Sequence, residues 1–234
     1  MSDEPAVAPA AVFAHLGGMS DFVYAPPPGD ARILHVDDDI LAVDKQAGLL
    51  SVPGRGPERA DCLIERLRAR FPQVLLVHRL DLDTSGVIVF ALTPQAQAHL
   101  GRQFEHRRVQ KRYAALVAGH PAEPKGRVDL PLIVDWPNRP RQKVCHETGR
   151  PAQTDWRVLR REGPNARVRL MPLTGRSHQL RVHMKALGHP ILGDPLYAEG
   201  AAADWPRLML HAEELRLTHP QTGAPLKLRA PVPF

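Results

Sequence analysis

The run His78-Arg79-Leu80-Asp81-Leu82-Asp83-Thr84-Ser85-Gly86 sets a carboxylate two residues after an Arg and directly ahead of an apolar stretch, Val87 to Leu92. Such a stretch reads as a buried strand, and a strand end is a rigid mount for a reactive Asp. Asp81 can serve there as a nucleophile or as a general base. Two other segments hold residue types that suit this chemistry: Lys111-Arg112-Tyr113 and Thr174-Gly175-Arg176-Ser177-His178-Gln179-Leu180-Arg181. Each also has a plain structural explanation. Asp81 could cap the turn before Val87, Tyr113 could be a half-buried strand aromatic, and Arg181 could lay its stem along a helix with its head in water. Other chemistries fit less well. His78, Asp81 and Asp83 lack a second ligand set at supporting spacing, so no metal is expected. Ser85 lacks the Gly-x-Ser-x-Gly elbow of a hydrolase, and no Gly-rich phosphate loop or other cofactor motif is present.

Positioning those side chains takes a real core, and 234 residues at 43% hydrophobic content can supply one, as one large domain or two small ones. No apolar run reaches the length of a membrane helix, and Met1 to Ala10 carries acids instead of a signal-type basic start. Cytoplasmic residence is the expectation. Cys62 and Cys145 stand far apart, which argues against a disulfide framework and for a reducing compartment. The formal charge of +6 is concentrated in three clusters: Arg102 to Arg112, Arg139 to Lys143, and Arg167 to Lys185. A polyanionic partner suits them. Aromatic residues, at 5%, are too few for an extended base-stacking platform, so a nucleic acid would be held mainly by its phosphates.

Residues 1–30 read as a flexible Ala/Pro-rich leader, and residues 31–234 as a single domain. Arg32 to Val36 and Ile40 to Lys45 predict a hairpin turned by Asp37-Asp38-Asp39. Asp61 is placed to cap a helix carrying Leu63, Ile64, Leu67 and Phe71 on one face, and Thr93-Pro94 starts a second with Ala96, Leu100 and Phe104 inward. Tyr113 to Ala118 is strand-like, whereas Gly119 to Arg150 is dense in Pro and Gly and predicts an irregular excursion. Val168 and Leu170 belong to a further strand. Ser177 to Leu187 then predicts a helix with Leu180, Met184 and Leu187 buried and His178, Arg181 and Lys185 on another face. Strands mixed irregularly with helices make the fold class α+β.

His78 to Gly86, Lys111 to Tyr113, Thr174 to His183 and the segment Gly188-His189-Pro190-Ile191-Leu192-Gly193-Asp194-Pro195-Leu196-Tyr197 together resemble the RluA family of RNA pseudouridine synthases, in order and spacing, over residues 32 to 234. The resemblance implies a mixed, mainly antiparallel sheet with flanking helices and an active cleft across its middle. It also implies a reaction without cofactor: the bond from uracil N1 to the ribose breaks, the base turns, and C5 joins the same ribose carbon. Asp81 matches the catalytic carboxylate, acting on the ribose, on uracil C6 or as a base. Arg181 matches its ion-pair partner, and Tyr113 the tyrosine that stacks on uracil. Arg79 matches the wedge that fills the space left by the flipped base. Ile191 and Leu192 match the apolar wall of the uracil pocket, while His78, Lys111, Arg176 and His178 fall in the same motifs as substrate-binding positions.

The segment Asp129 to Pro140, followed by Gln142-Lys143-Val144, is similar to family members with dual specificity, which implies tRNA and 23S rRNA as partners. Action on other rRNA uridines, or RNA binding without catalysis, are the alternatives. No membrane and no obligate protein partner are implied. Some relatives carry an extra N-terminal RNA-binding domain that residues 1–30 are too short to encode, so recognition is expected to rest on the catalytic domain. Gln46 stands after Lys45 where relatives usually have Pro, and a looser turn with retained activity is expected there.

Overall fold

The computed structural model describes residues 23–234. Most of the expected leader therefore lies outside the described residues, and its last part is fixed to the domain. Tyr24 Oη donates to the Asp61 carbonyl at 2.8 Å and accepts the Leu50 amide at 3.0 Å. Arg66 donates to the carbonyls of Pro27 and Gly29, both at 2.8 Å. The packed chain thus already includes Tyr24.

The first hairpin forms where the aspartates predict it. Strands β1 (Arg32–Val36) and β2 (Ile40–Lys45) pair antiparallel. Asp37 Oδ1 accepts the amides of Asp39 and Ile40, each at 2.9 Å, which closes the turn. Helix α1 (Leu63–Arg68) buries Leu63, Ile64 and Leu67, with Phe71 packed beyond its end. Asp61 does not cap it. Its carboxylate is taken instead by Arg66, in contacts of 2.7 and 2.6 Å, and Cys62 occupies the cap position without a side-chain bond. After the short β3 (Leu75–Leu76), strand β4 (Ser85–Ala91) is buried at every residue, as a central strand covered on both faces must be. Helix α2 (Pro94–Glu105) starts as predicted: Thr93 Oγ1 accepts the Ala96 amide at 3.1 Å and Pro94 sits in the first turn.

The second half departs further from expectation. Strand β5 (Gln110–Ala118) begins before Tyr113, and the supposedly irregular excursion contains β6 (Lys125–Asp129), β7 (Leu132–Val134) and β8 (Gln142–Val144). Its Pro and Gly residues punctuate strands too short to show a period. Strands β9 (Gln153–Glu162) and β10 (Asn165–Pro172) lead to helix α3 (Gln179–Ala186). His178 has a φ of 53°, a left-handed conformation, so the helix can begin only after it. Nor is α3 two-faced: Gln179 through Met184 are all buried, Arg181 among them. Strands β11 (Leu210–Thr218) and β12 (Pro225–Arg229) complete the described chain.

Among the described residues, ten strands form one mixed sheet in the order β1-β2-β4-β11-β5-β10-β9-β6, with β3 beside β4 and β12 beside β11. Every pairing is antiparallel except that of β4 with β11, in agreement with an α+β fold. Strands β7 and β8 make a separate hairpin. One apolar core gathers around β2, β4, α1 and α2, a second around β5, β10 and α3, and Tyr113 packs against both.

The parallel seam explains Gly86. Its φ is +113°, and an added Cβ would stand 2.3 Å from the Ala212 carbonyl oxygen on β11. Gly86→Ala is expected to lower stability by more than about 1 kcal/mol, read as a lower midpoint in urea unfolding. A midpoint equal to that of the wild type would mean the seam can open without penalty.

Candidate active site

Asp81 sits in the turn that enters β4, and both of its neighbours are anchored. Ser51 Oγ donates to the Leu80 carbonyl at 2.8 Å and accepts the Leu80 amide at 3.2 Å. Leu82 offers its carbonyl to Lys45 Nζ at 2.9 Å and to the Gly48 amide at 3.0 Å. Lys45 is fully buried and also donates to the carbonyls of Gln46 and Leu49, at 2.9 and 2.6 Å. Burial pulls its pKa down to about 7, and three carbonyls meet all three ammonium donors. The turn after Lys45 is tied down instead of loose: Gln46 Nε2 donates to the Pro28 carbonyl at 3.1 Å.

Across from Asp81, α3 presents Arg181. Its Nη1 lies 3.8 Å from Asp81 Oδ2, and the Asp81 side chain is 30% exposed. Arg181 itself is held from behind by Asp194, Nε to Oδ2 at 2.8 Å and Nη2 to Oδ1 at 2.7 Å, with the two side chains 2% and 0% exposed. Asp194 Oδ1 also accepts the amides of Leu196 and Tyr197, at 2.9 and 3.1 Å. Burial alone would lower the guanidinium's pKa; the Asp194 carboxylate outweighs it and raises it. Arg79, by contrast, is exposed at the cleft wall. The nearer Arg in sequence is therefore not the one that faces the carboxylate.

Tyr113 lies in the same cleft, where desolvation first and the Asp81 charge second raise its pKa and keep it a phenol. Lys111 Nζ donates to the Thr174 carbonyl at 3.0 Å, and burial followed by the Arg107 charge lowers its pKa to about 8. His78 is committed to packing: its ring stacks on Phe104 with centroids 4.5 Å apart, and Nε2 accepts the Val89 amide at 3.1 Å. Desolvation and Lys111 push its pKa down to about 3, so it is neutral. His178 Nδ1 is 2.8 Å from Tyr197 Oη, and that hydroxyl accepts the Gln142 amide at 2.7 Å. Arg176 lines the wall, with Nε donating to the Pro151 carbonyl at 3.2 Å.

Two predicted site residues lie elsewhere. Ile191 and Leu192 are 0% and 1% exposed and belong to the second core, under β5, so neither forms the cleft wall. They pair instead with the backbone of Val117 and Leu116. Leu80, Leu173, Leu180 and Leu210 supply apolar surface in the cleft. Sequence reasoning also missed Asp194, Lys45 and Tyr197 as parts of the site. The signal for Lys45 was a cation closing a strand that is apolar from Ile40 to Val43; Asp194 and Tyr197 stood in the last motif without a role.

The cleft encloses about 1080 Å³, larger than most small-molecule pockets, and Arg55, Arg79, Arg107, Lys111, Arg139 and Arg176 line it together with Asp81. A fixed carboxylate backed by a cation, beside a neutral phenol and ringed by positive charge, suits nucleophilic or proton-transfer chemistry on one unit of a polyanion. Among the described residues, Asp37, Asp39 and His219 could group around a metal, but Asp37 is already bonded to His35 at 2.6 Å and to His219 at 3.1 Å. No described helix is long and apolar enough to cross a membrane. Asp194→Ala is expected to lower stability by about 3–5 kcal/mol in urea unfolding, because it leaves a buried guanidinium without its partner. The pair Arg181→Met with Asp194→Leu should recover much of that loss; equal stability of the single and double variants would contradict this account.

Residues 39–186 match the family model described as RNA pseudouridylate synthase, more than half of the chain. The dual-specificity RNA pseudouridine synthase RluA of Escherichia coli K12 is 57% identical over 204 residues, covering 86% of this chain and 93% of the relative. The protein of that name from Vibrio vulnificus is 50% identical over 223 residues, covering 92% and 89%. The solved structure of human RNA pseudouridylate synthase domain containing 1 superposes with a TM-score of 0.73 at 34% identity, covering 89% of this chain and 87% of that one. With the cleft geometry and these matches together, the chain belongs to the RluA family of RNA pseudouridine synthases.

Proposed function

We propose that this pseudouridine synthase acts in the cytoplasm on two structured RNAs, a tRNA anticodon stem-loop and a 23S rRNA hairpin, and that Asp81 is the group that reacts with the target nucleotide. The Asp81–Arg181 contact of 3.8 Å within a strongly cationic cleft carries the role of Asp81, and the dual-specificity naming of the relatives supports the two RNAs. The reaction is an isomerisation. The N1–ribose bond breaks, the freed uracil turns, C5 bonds to the same ribose carbon, and the proton lost from C5 is balanced by one gained at N1. Asp81 can attack the ribose, attack uracil C6 or remove a ribose proton; in each case it must act as an anion, and Arg181 stabilises that anion. Tyr113 offers its ring as a stacking surface and its hydroxyl as a donor.

The target base is stacked in its loop and must be flipped out, at roughly a few kcal/mol. Arg79, exposed at the wall, is suited to fill the gap it leaves. Lys111 and Arg176 supply charge toward phosphates. His78 and His178 shape the cleft, and Ile191 and Leu192 support it from beneath.

Incubation with an unmodified anticodon stem-loop and with the 23S hairpin should yield pseudouridine in both; absence from both would sink the reading. Asp81→Asn should bind RNA while its turnover drops at least about 1,000-fold, about 4 kcal/mol at 1.36 kcal/mol per tenfold. Near-normal turnover would remove Asp81 from its role. Lys111 is cationic below its pKa of about 8 and neutral above it, so RNA affinity should weaken as pH rises from 7 to 9. The slope of log affinity on log salt should fall by about 1 over that window. Lys111→Arg should abolish that change, because its charge persists; an identical pH profile in both proteins would exclude Lys111 as the titrating contact.

A further inference from the structure

The β7–β8 hairpin contributes Val134, Arg139, Pro140 and Gln142 to the cleft wall, and its tip is closed by its own backbone. The Asp135 amide donates to the Arg141 carbonyl at 2.9 Å, Asn138 to Asp135 at 2.9 Å, and Arg141 to Asn138 at 3.0 Å. The Asp135 carboxylate is occupied by Asn138 Nδ2 at 2.8 Å and Lys143 Nζ at 3.3 Å. This turn holds Trp136 out into solvent, 62% exposed. The Arg139 guanidinium lies 4.6 Å over its ring and donates Nε to the Trp136 carbonyl at 3.2 Å. An isolated exposed apolar residue is ordinary. Here, however, an indole is held on a fixed turn, stacked with a cation that itself lines the cleft containing Asp81.

The root of the hairpin is tied to the reacting groups. Tyr197 Oη accepts the Gln142 amide at 2.7 Å and meets His178 Nδ1 at 2.8 Å, while the Arg181 guanidinium lies 5.1 Å over the Tyr197 ring. The tip therefore stands at a set distance from Arg181 and Asp81.

We propose that Trp136 and Arg139 form a stacking site for an unpaired base of the RNA loop that flanks the target uridine, so that the hairpin sets which nucleotide reaches Asp81. This rests on the reading of the cleft as an RNA site. The chemistry favours a nucleobase: an indole and a guanidinium present a flat cationic surface that any base can stack on, and Arg141 and Lys143 beside them favour the adjoining phosphates. The low aromatic content excludes an extended platform but not a single stacking position.

The test uses the full chain and both stem-loops. RNA should quench tryptophan emission in the wild type, and most of that quench should vanish in Trp136→Ala. The Kd should rise about 5- to 150-fold for Trp136→Ala, from about 1–3 kcal/mol per stacked base at about 1.4 kcal/mol per tenfold, and much less for Trp136→Phe. KM should change more than kcat. Removing the base of the stacked loop nucleotide should weaken wild-type binding by a similar factor and leave Trp136→Ala almost unaffected. Unchanged affinity and quench in Trp136→Ala would overturn the proposal, as would equal losses for the Ala and Phe variants or additive losses with every abasic loop position. The two readings fail separately: normal conversion with an indifferent Trp136 removes the stacking site alone, and quench without pseudouridine removes the catalytic reading alone.

Discussion

A guanidinium sealed from water must be matched, and in this protein the match between Arg181 and Asp194 governs the arrangement of the site. Asp194 takes Nε and Nη2, which leaves Nη1 directed at Asp81. Were the carboxylate behind it absent, Arg181 would have no fixed orientation to offer. The same Asp194 oxygen receives the amides of Leu196 and Tyr197, and the Tyr197 hydroxyl in turn receives Gln142. One buried carboxylate thus fixes a helix, a loop and the root of a hairpin relative to Asp81. Isolated pairs of this kind contribute little net stability, and their use is to define one geometry among several of similar energy.

Charge on the rest of the molecule is divided between structure and function. Glu214 on β11 is 1% exposed and draws Arg112, Arg216, Lys227 and Arg229 within 3.2, 2.6, 3.7 and 2.6 Å. Arg167 and Arg169 pair with Glu162 and Glu213. Members of the first and third basic clusters are thereby neutralised within the sheet. Arg79, Arg107, Arg139 and Arg176 remain at the cleft, so the local field there exceeds what a net charge of +6 suggests.

Much of this was legible from residue order. The aspartate turn, the Thr93-Pro94 start and the fully apolar strand after Ser85 are local signals, and local physics decides them. The motifs also pointed to Asp81, Tyr113 and Arg181, which the fold brings to one cleft. What failed depended on distant partners. Asp61 is a good cap by type, yet Arg66 and the chain at Pro27 and Gly29 draw it into another contact. The polar positions of α3 read as a solvated face because nothing local shows that Asp194, thirteen residues on, follows Arg181 into the interior. Ile191 and Leu192 have the right character for a pocket wall, and only the bridge to β5 shows that they lie beneath it.

The sheet order carries a temporal consequence. Strand β11 lies between β4 and β5 although it begins at Leu210, more than a hundred residues after β4 ends. At about 5–20 residues per second on the ribosome, β4 waits roughly 6 to 24 seconds for its parallel neighbour. Until then both cores lack their common wall, and Asp81 and Arg181 have no shared framework. Assembly is necessarily late and dominated by non-local pairing, which slows folding. A nascent chain stopped short of Leu210 would carry Asp81, Tyr113 and Arg181 and still be unable to bring Asp81 to the other two.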